Sequence, residues 1–285
     1  MSRFLTWFRS RRRSGTVAGV LVLFLVLVAV FAPLLAPHDP KAGDVLEAVQ
    51  PPAWSDGGSS DHLLGTDRLG RDILSRGIYG ARTSLSLAVG GVVIGLLLGG
   101  AAGLLAGYRS GWVDAVIMRL ADASLSLPLI LVALAFAIVL GPGTSTVLAV
   151  MALVLWGRFC RQARGEAIRL RERDYVASAR ISGVSSARIL ARHILPGAVD
   201  SLVVLSTLQL AGMVMLESSL SFLGVGLPPE TPAWGVMVSD GLSQLVIGEW
   251  WPAVIPAIAL AVTVLSINMA GDWLRDALDP HLRDL

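Results

Sequence analysis

Long apolar runs separated by short polar segments dominate this 285-residue chain. About 20 consecutive apolar residues cross the hydrocarbon core of a bilayer as a helix. Six runs approach or exceed this length: 16–36, 83–107, 115–140, 145–159, 197–224 and 251–274. The pattern predicts an all-α integral membrane protein with six transmembrane helices.

Two of the six runs leave their limits open. The run 145–159 is the shortest, and its uninterrupted apolar part covers only 147–156. The run 115–140 could instead begin at Ala123, with 118–122 left in the membrane interface.

The segments between the runs also carry expectations. We expect a flexible loop at 50–60 and a short amphipathic helix at 70–82, lying at the outer interface. The loop 227–250 could dip partly into the membrane. The tryptophans near its two ends are expected in the aromatic belt: Trp234, Trp250 and Trp251.

Charged residues predict the orientation, because positive residues concentrate on the cytoplasmic side of a membrane. The basic amino end, 1–15, has five arginines and no acidic residue, and 158–192 has nine arginines against three acidic residues. The segment 37–82 has seven acidic and five basic residues, and 225–250 has three acidic residues and no basic one. Both termini, including a tail at 275–285, are therefore predicted to be cytoplasmic. The residues 83–274 would form the transmembrane core, including a polar, arginine-rich segment at 158–196.

The composition changes this picture little. Of the chain, 54% is hydrophobic and 15% is charged, and the net charge of +2 reflects the cytoplasmic arginines. Nucleic-acid binding is the weaker interpretation of those arginines, because aromatic residues are not interleaved with them. The first run is longer than the apolar part of a secretory signal and lacks a small-x-small cleavage site, so we interpret it as an uncleaved signal anchor.

The segment 174–196 is polar and lies between two apolar runs, which makes it the most informative part of the chain. Asp174 can cap a short helix, Gly183 can end it in the left-handed conformation, and Ser185 or Ser186 can cap a second helix that runs towards Pro196. The predicted result is a helix, a sharp turn and a second helix, which together form an elbow at 174–196. Small and basic residues surround the turn, so that another protein can approach it closely: Ala177, Ser178, Ala179, Arg180, Arg188 and Arg192. An ordinary solvated loop is the alternative.

Glycines recur every fourth residue in the second apolar run, at Gly91, Gly95, Gly99, Gly103 and Gly107. This repeated small-xxx-small pattern predicts a helix face against which another helix packs closely. The neighbour could belong to this chain or to a partner subunit.

These features resemble the inner-membrane permease subunits of bacterial ABC importers. In the importer pattern, small residues precede a glycine and a Leu-Pro pair, as in ASA at 177–179, Gly183 and LP at 195–196. The chain departs from the pattern twice, since ASA replaces the usual EAA and His193 replaces an aliphatic residue two positions before the Leu-Pro pair.

Further blocks narrow the resemblance to the dipeptide/oligopeptide/nickel permease family, and within it to the second, C-type permease subunit. These blocks run from about residue 64 to the end of the chain: LGTD at 64–67, GRD at 70–72, SR at 75–76, YGAR at 79–82, LESSLSFLG at 216–224, WG at 234–235, GDWLRD at 271–276 and LDP at 278–280.

The resemblance implies four kinds of partner. They are a homologous second permease subunit, two cytoplasmic ATPase subunits, an external solute-binding protein and the membrane lipid. The segment 158–196 would be the coupling segment, and the ATPases would dock on residues of its elbow: Asp174, Ala177, Ser178, Ala179, Arg180, Gly183 and Arg188. Peptides are the expected cargo, and nickel or another metal complex is the alternative.

ATP is expected on the partner chains. A P-loop needs a lysine after its glycines, and the only lysine here is Lys41 in a predicted external loop. We therefore expect this chain to be non-catalytic and to bind no cofactor, with ATP and Mg²⁺ held by the ATPases.

Three ionisable residues fall within or near predicted spans, where charge is costly and each is a functional candidate. Glu217 and Asp122 are candidates for the substrate pathway. Alternatively, Glu217 makes a structural hydrogen bond and Asp122 pairs with Arg119 one turn earlier. Asp200 lies close to the cytoplasmic boundary.

Enzymatic motifs are missing from the sequence. It contains no GxSxG, no HExxH and only one cysteine, Cys160, which we expect to be a packing residue. Because the four histidines are scattered over loops and ends, we expect no metal centre: His38, His62, His193 and His281. The competing class is a membrane channel or scaffold that works without ATP, which would need neither the elbow nor its arginines.

Overall fold

The computed structural model describes the backbone of residues 2–278 and the side chains of residues 15–277. Its helices are α1 (Ser2–Val30), α2 (Ala32–Leu35), α3 (Ile73–Arg109), α4 (Gly111–Ser126), α5 (Leu129–Leu140), α6 (Thr144–Arg171), α7 (Asp174–Ile181), α8 (Ser186–Ile189), α9 (Leu195–Phe222), α10 (Trp234–Val246) and α11 (Trp251–Leu278). A π-helical stretch, Leu190–Ile194, joins α8 to α9. The described residues form two isolated β-bridges and no strand. The all-α prediction is confirmed.

Four helices in the described part of the chain are long and apolar enough to cross a membrane. They are α3, α6, the continuous helix Ser186–Phe222 and the segment Trp251–Ala277 of α11. The helices α4 and α5 pass the same test only as a pair, and the apolar part of α1, Gly15–Val30, is shorter. Four to five apolar spans therefore follow from length and composition.

The third apolar run is not one straight span. The axes of α4 and α5 differ by 91° at a break formed by Leu127 and Pro128. Proline lacks the N–H that a helix interior needs and disfavours the helical conformation of the residue before it. In addition, Ser124 and Ser126 donate hydrogen bonds to carbonyl groups three residues earlier, both at 2.8 Å. The expectation of a single helix over 115–140 is wrong.

The second span begins earlier than the sequence suggested. The carboxylate of Asp72 caps α3 by accepting a hydrogen bond from the backbone N–H of Ser75 at 2.7 Å. The helix then continues without a break for 37 residues, which is about 55 Å at 1.5 Å per residue. The expected short helix at 70–82 is therefore the first part of α3, which extends well beyond a hydrocarbon core of about 30 Å.

The glycine face of α3 packs against α6 of the same chain. A Cβ atom added at Gly91 would lie 2.7 Å from Met151 Sδ, and one added at Gly107 would lie 2.8 Å from Ala167 Cβ. The contacts between these two ends follow the same four-residue repeat on both helices: Gly95 with Leu155, Gly99 with Phe159 and Gly103 with Ala163. The neighbour that the sequence left open thus lies within this chain, and the α3–α6 pair forms the centre of its core.

Candidate functional site

The first part of the elbow, residues 174–189, consists of α7, a tight turn and α8, and the π-helical stretch completes it. Gly183 has φ +76°, the left-handed conformation that glycine adopts without a steric cost. Its N–H donates to the carbonyl of Arg180 and the N–H of Val184 donates to that of Ala179, both at 3.1 Å. These two bonds form a Schellman motif, which satisfies the last carbonyl groups of α7 and reverses the chain.

Asp174 does not cap α7 as the sequence suggested. Arg173 occupies the cap position with φ −77° and ψ 145°, and no side chain caps the helix. Asp174 instead lies in the first turn, where its negative charge interacts favourably with the helix dipole. The expectation that Asp174 is the cap was therefore wrong, and the turn is built from backbone bonds.

The elbow projects from the body of the protein while two apolar side chains hold it there. Val176 and Ile189 are 0% and 1% exposed and belong to the hydrophobic core. The guanidinium carbon of Arg180 lies 5.9 Å from the centre of the Tyr108 ring, in reach of a cation–π interaction. Of the predicted docking residues, Ala179 is half-buried and the following are exposed: Asp174, Ala177, Ser178, Arg180, Gly183 and Arg188.

Ile181 is a candidate that the sequence analysis missed. Its side chain is 88% exposed. It is the last residue of α7, two positions before Gly183, and its neighbours are small or polar. Tyr175, at the other end of the same helix, is 46% exposed. The sequence signal was an isolated large apolar residue next to the left-handed glycine.

Many arginines of the coupling segment bind groups of this chain. Arg164 forms a bidentate pair with Asp114 of α4, including an Nη2–Oδ2 distance of 2.7 Å. Arg171 donates to the carbonyl of Gly107 at 2.9 Å, at the end of α3. These contacts tie α6 to α3 and α4, so much of the positive charge of the segment has a structural partner.

The elbow continues into α9 without a break in the helix. Pro196 cannot donate a backbone hydrogen bond, and its ring would collide with the carbonyl of Arg192 in a regular α-helix. The chain widens into the π-helical stretch at this point, and the N–H of Leu195 donates to the carbonyl of Leu190 instead. A second short helix ending near Pro196 was expected, whereas the structure joins the elbow directly to a span.

Glu217 of α9 is fully buried where α9 faces α3. Its carboxylate accepts hydrogen bonds from the hydroxyl groups of Ser84 at 2.6 Å, Ser221 at 2.8 Å and Ser218 at 3.3 Å. This geometry matches the structural hydrogen bond that the sequence analysis gave as the alternative to cargo contact.

Asp122 lies on the surface of this subunit. Its side chain is 53% exposed and accepts a hydrogen bond from Arg161 of α6 at 2.6 Å. The alternative pairing of Asp122 with Arg119 was wrong, because Arg161 is the partner. Asp200 is exposed near the start of α9.

The block at 64–82, which is part of the family resemblance, surrounds the start of α3 with ion pairs and buried side chains. Arg71 pairs with Asp67 at 2.6 Å and with Asp240 of α10 at 3.1 Å, and Arg76 is 1% exposed beside them. Trp234, expected in the aromatic belt, is also 1% exposed. Its Nε1 donates to the carbonyl of Gly77 at 3.1 Å, which joins α10 to α3.

Two histidines lie close together near the start of α3, contrary to the expectation that all four are scattered. The ring centres of His38 and His62 are 4.8 Å apart, and His62 Nδ1 lies 3.0 Å from Asp72 Oδ1. Burial lowers the pKa of His62, but hydrogen bonds and charges from Asp72 and Glu47 outweigh it, so the pKa is raised above its ordinary value. His193 stacks near Tyr175 at 6.4 Å between ring centres, and His281 lies outside the described residues.

The helices and the projecting elbow define the class of the protein as a multi-pass helical membrane protein with a protruding polar helix pair. Two solved structures are similar to it in fold. One, titled "Inward facing conformations of the MetNI methionine ABC transporter", has a TM-score of 0.54 at 17% identity and covers 71% of this chain and 95% of that one. Another, an amino acid ABC transporter with histidines, has a TM-score of 0.52 at 17% identity and covers 74% and 95%.

Relatives found by sequence have higher identity to the chain than these two structures. The glutathione transport system permease protein GsiD of Pectobacterium atrosepticum is 40% identical over 96% of this chain and 89% of its own. The di/tripeptide transport system permease protein DppC of Pseudomonas aeruginosa is 38% identical over 98% and 92%. The dipeptide transport system permease protein DppC of Bacillus subtilis is 36% identical over 97% and 85%.

Two family descriptions match the chain itself. Residues 91–284 match the inner membrane component of binding-protein-dependent transport systems. Residues 5–52 match the N-terminal transmembrane domain of oligopeptide transport permease C. The chain belongs to this family of inner-membrane ABC transporter permease subunits, and the predicted resemblance is confirmed.

Proposed function

We propose that the chain is the C-type permease subunit of an ATP-driven importer for di- and oligopeptides and forms half of the translocation pathway. Relatives whose names refer to dipeptide, di/tripeptide or glutathione transport support this cargo. Glutathione is itself a peptide, and the alternative cargo, nickel, gains no comparable support.

The proposed topology has six crossings with both termini in the cytoplasm. The apolar part of α1 would provide the first crossing, and the bent pair α4–α5 the third. The arginines of the amino end and of the segment 158–192 would then lie inside. The tail at 275–285 would be cytoplasmic as well, with residues 279–285 outside the described part of the chain.

The elbow is the proposed docking site for an ATPase. The observation that supports docking most directly is the exposure of the elbow's tip, the turn around Gly183, while Val176 and Ile189 anchor its base in the core. Because the elbow is continuous with α9, a displacement of its tip would be transmitted to a span. Closure of two ATPases around ATP and Mg²⁺ would move the elbows of this chain and of a homologous second permease subunit, and so favour one of two states of the pathway.

Each component of the proposed importer would have a distinct role. This chain would be non-catalytic, the partner ATPases would hydrolyse ATP, and an external solute-binding protein would deliver peptide to the pathway. Nucleic acid has no place in the proposal. An ATP-independent channel would have no use for the elbow, so co-purification of an ATPase with the chain separates the two classes.

Replacement of Gly183 by Trp tests docking within the complete importer. The chain, its partner permease, ATPases and binding protein are reconstituted in liposomes, and ATP-dependent uptake of labelled di- and tripeptides is measured against uptake of labelled nickel. We expect peptide uptake by the native importer and at least tenfold less by Gly183→Trp, because the indole would occupy the docking surface. Nothing lies within 4 Å of a Cβ atom at Gly183, so the left-handed conformation (φ +76°) is the source of strain and it is confined to the turn. The variant should therefore still insert in the membrane.

Gly183→Asn is the matched control, because asparagine tolerates the left-handed conformation with less bulk. It should retain most of the uptake. Equal uptake by Gly183→Trp and the native chain would contradict docking at the elbow, and uptake of nickel alone would contradict the peptide cargo.

A further inference from the structure

A second cluster of chemically active side chains lies away from the elbow, at the start of α3. Its members are His38, His62 and Asp72, and one ligand atom of each lies within 4.8 Å of the others. They come from three different segments: the chain after α2, the loop before α3 and the cap of α3. Neither the elbow nor the proposed pathway uses this cluster.

We propose that His38, His62 and Asp72 bind one Zn²⁺ ion. Two imidazole nitrogens and one carboxylate oxygen are a donor set that suits zinc, with the fourth position left to water. In tetrahedral zinc sites with bonds of about 2.0–2.1 Å, neighbouring ligand atoms are about 3.3 Å apart. Here His62 Nδ1 lies 3.0 Å from the ligand oxygen Asp72 Oδ1. His38 Nδ1 lies 3.8 Å from the other oxygen of Asp72, Oδ2, so its ring must shift slightly to complete the coordination.

The backbone holds two of the ligands in place. Ser75 donates its N–H to Asp72 Oδ2 at 2.7 Å, and its hydroxyl oxygen accepts the N–H of His38 at 3.0 Å. The other oxygen of Asp72 is the one that faces His62. Asp72 can therefore cap α3 and offer an oxygen to a metal ion at the same time.

A further carboxylate orients the buried histidine. Glu47 Oε2 lies 3.3 Å from Nε2 of His62, the ring nitrogen that faces away from Asp72. Metal-binding histidines commonly donate this second N–H to a carboxylate, which fixes the tautomer and makes the ligand nitrogen more basic. Glu47 thus acts as a positioning residue for His62 Nδ1.

The cluster also offers an entry path and room for adjustment. The side chain of His38 is 40% exposed, whereas those of His62 and Asp72 are 9% and 1% exposed. An ion can therefore reach the site from solvent on the His38 side, and the His38 ring can turn to complete the coordination. Bound zinc would join the chain after α2 and the loop to the cap of α3, which would restrain the segment between residues 38 and 72.

The test is equilibrium Zn²⁺ binding to the full-length chain in lipid nanodiscs. The chain is purified through a tag without histidines, stripped with a chelator, and titrated against a zinc indicator with bound metal counted by mass spectrometry. We expect one Zn²⁺ per chain, undisturbed by a hundredfold excess of Mg²⁺, which prefers oxygen ligands. Zinc should also raise the thermal unfolding temperature of the native chain, because it binds the folded state.

Three variants assign the ion to this site. His38→Gln removes an exposed ring but keeps the backbone bond to Ser75, so it should fold normally and lose the zinc-dependent rise in unfolding temperature. Glu47→Gln should weaken binding about 10- to 100-fold, as expected for a residue that orients a ligand. His193→Gln, which removes an imidazole at the elbow, is the matched control and should bind like the native chain.

Two results would overturn the proposal. One is the absence of stoichiometric zinc on the native chain, which would leave a hydrogen-bonded cluster only. The other is zinc binding that His38→Gln leaves unchanged. Both are independent of transport, so they do not depend on the proposed function.

Discussion

The carboxylate of Glu217 shows how the partners of a single side chain can differ from what its position in a span suggests. A charged group in a transmembrane helix is a functional candidate because its burial is costly. In the structure, three serine hydroxyl groups offset that cost by donating hydrogen bonds to it: Ser84, Ser218 and Ser221. Two of these serines belong to α9 and one to α3, so the carboxylate ties the two helices together. The partners were not evident from the sequence, because Ser84 is 133 positions away.

Substitutions of Glu217 should affect stability more than cargo preference. Glu217→Leu leaves buried hydroxyl groups without their acceptor and should lower the free energy of unfolding by about 1–3 kcal/mol. Glu217→Gln keeps an acceptor oxygen and should cost less. Thermal unfolding in nanodiscs and competition between labelled di- and tripeptides for uptake would measure the two effects. A changed peptide preference in Glu217→Gln at unaltered stability would instead place Glu217 in contact with cargo.

At the scale of elements, the sequence predicted helices well where apolar length or a regular repeat decided the outcome. The span predicted at 197–224 corresponds to α9, and the one at 251–274 to α11. The bend between α4 and α5 was missed because apolar length alone does not show it, although Pro128 marks it. The continuity of α3 was missed because the polar start of the helix is stabilised by long-range partners, Trp234 and Asp240, which lie far away in the sequence.

The glycine repeat of α3 gives a sharp test of helix packing. A Cβ atom at Gly99 would lie 2.9 Å from Phe159 Cβ and closer still to the Trp156 carbonyl, whereas at Gly100 the nearest atom would be Leu96 Cδ1 at 3.8 Å. Gly99→Ala should therefore separate α3 from α6 and lower stability by about 1–3 kcal/mol.

Gly100→Ala is the matched control, since it lies on the same helix without the close contact. It should be neutral or slightly stabilising, because alanine favours a helix by about 1 kcal/mol over glycine. Unfolding temperatures of the two variants in nanodiscs make the comparison. Equal unfolding temperatures of the two variants would mean that the glycine face is not the contact surface between α3 and α6.

At the scale of the whole molecule, the elbow has a buried base and an exposed tip, which the proposed transmission of ATPase movement requires. The sequence indicated the turn through Gly183, since few other residues adopt a left-handed conformation. It did not indicate which side chains would project, because that depends on how α7 lies on the core. Val176 faces inward and Ile181 faces outward, although both are apolar residues of the same short helix.

Ile181 should contribute to ATPase docking without contributing to the stability of this chain. It is 88% exposed, so Ile181→Ser removes little packing here but removes an apolar contact from a partner surface. We expect at least tenfold weaker association of the ATPase with the reconstituted permease, measured by sedimentation with proteoliposomes, and an unchanged unfolding temperature of the isolated chain. Leu46→Ser is the matched control, because Leu46 is 93% exposed in the short 3₁₀ helix Val45–Glu47, and it should leave ATPase association intact. Native association in Ile181→Ser would mean that the elbow tip isn't buried by the ATPase, and the site of coupling would then have to be sought elsewhere in the segment 158–196.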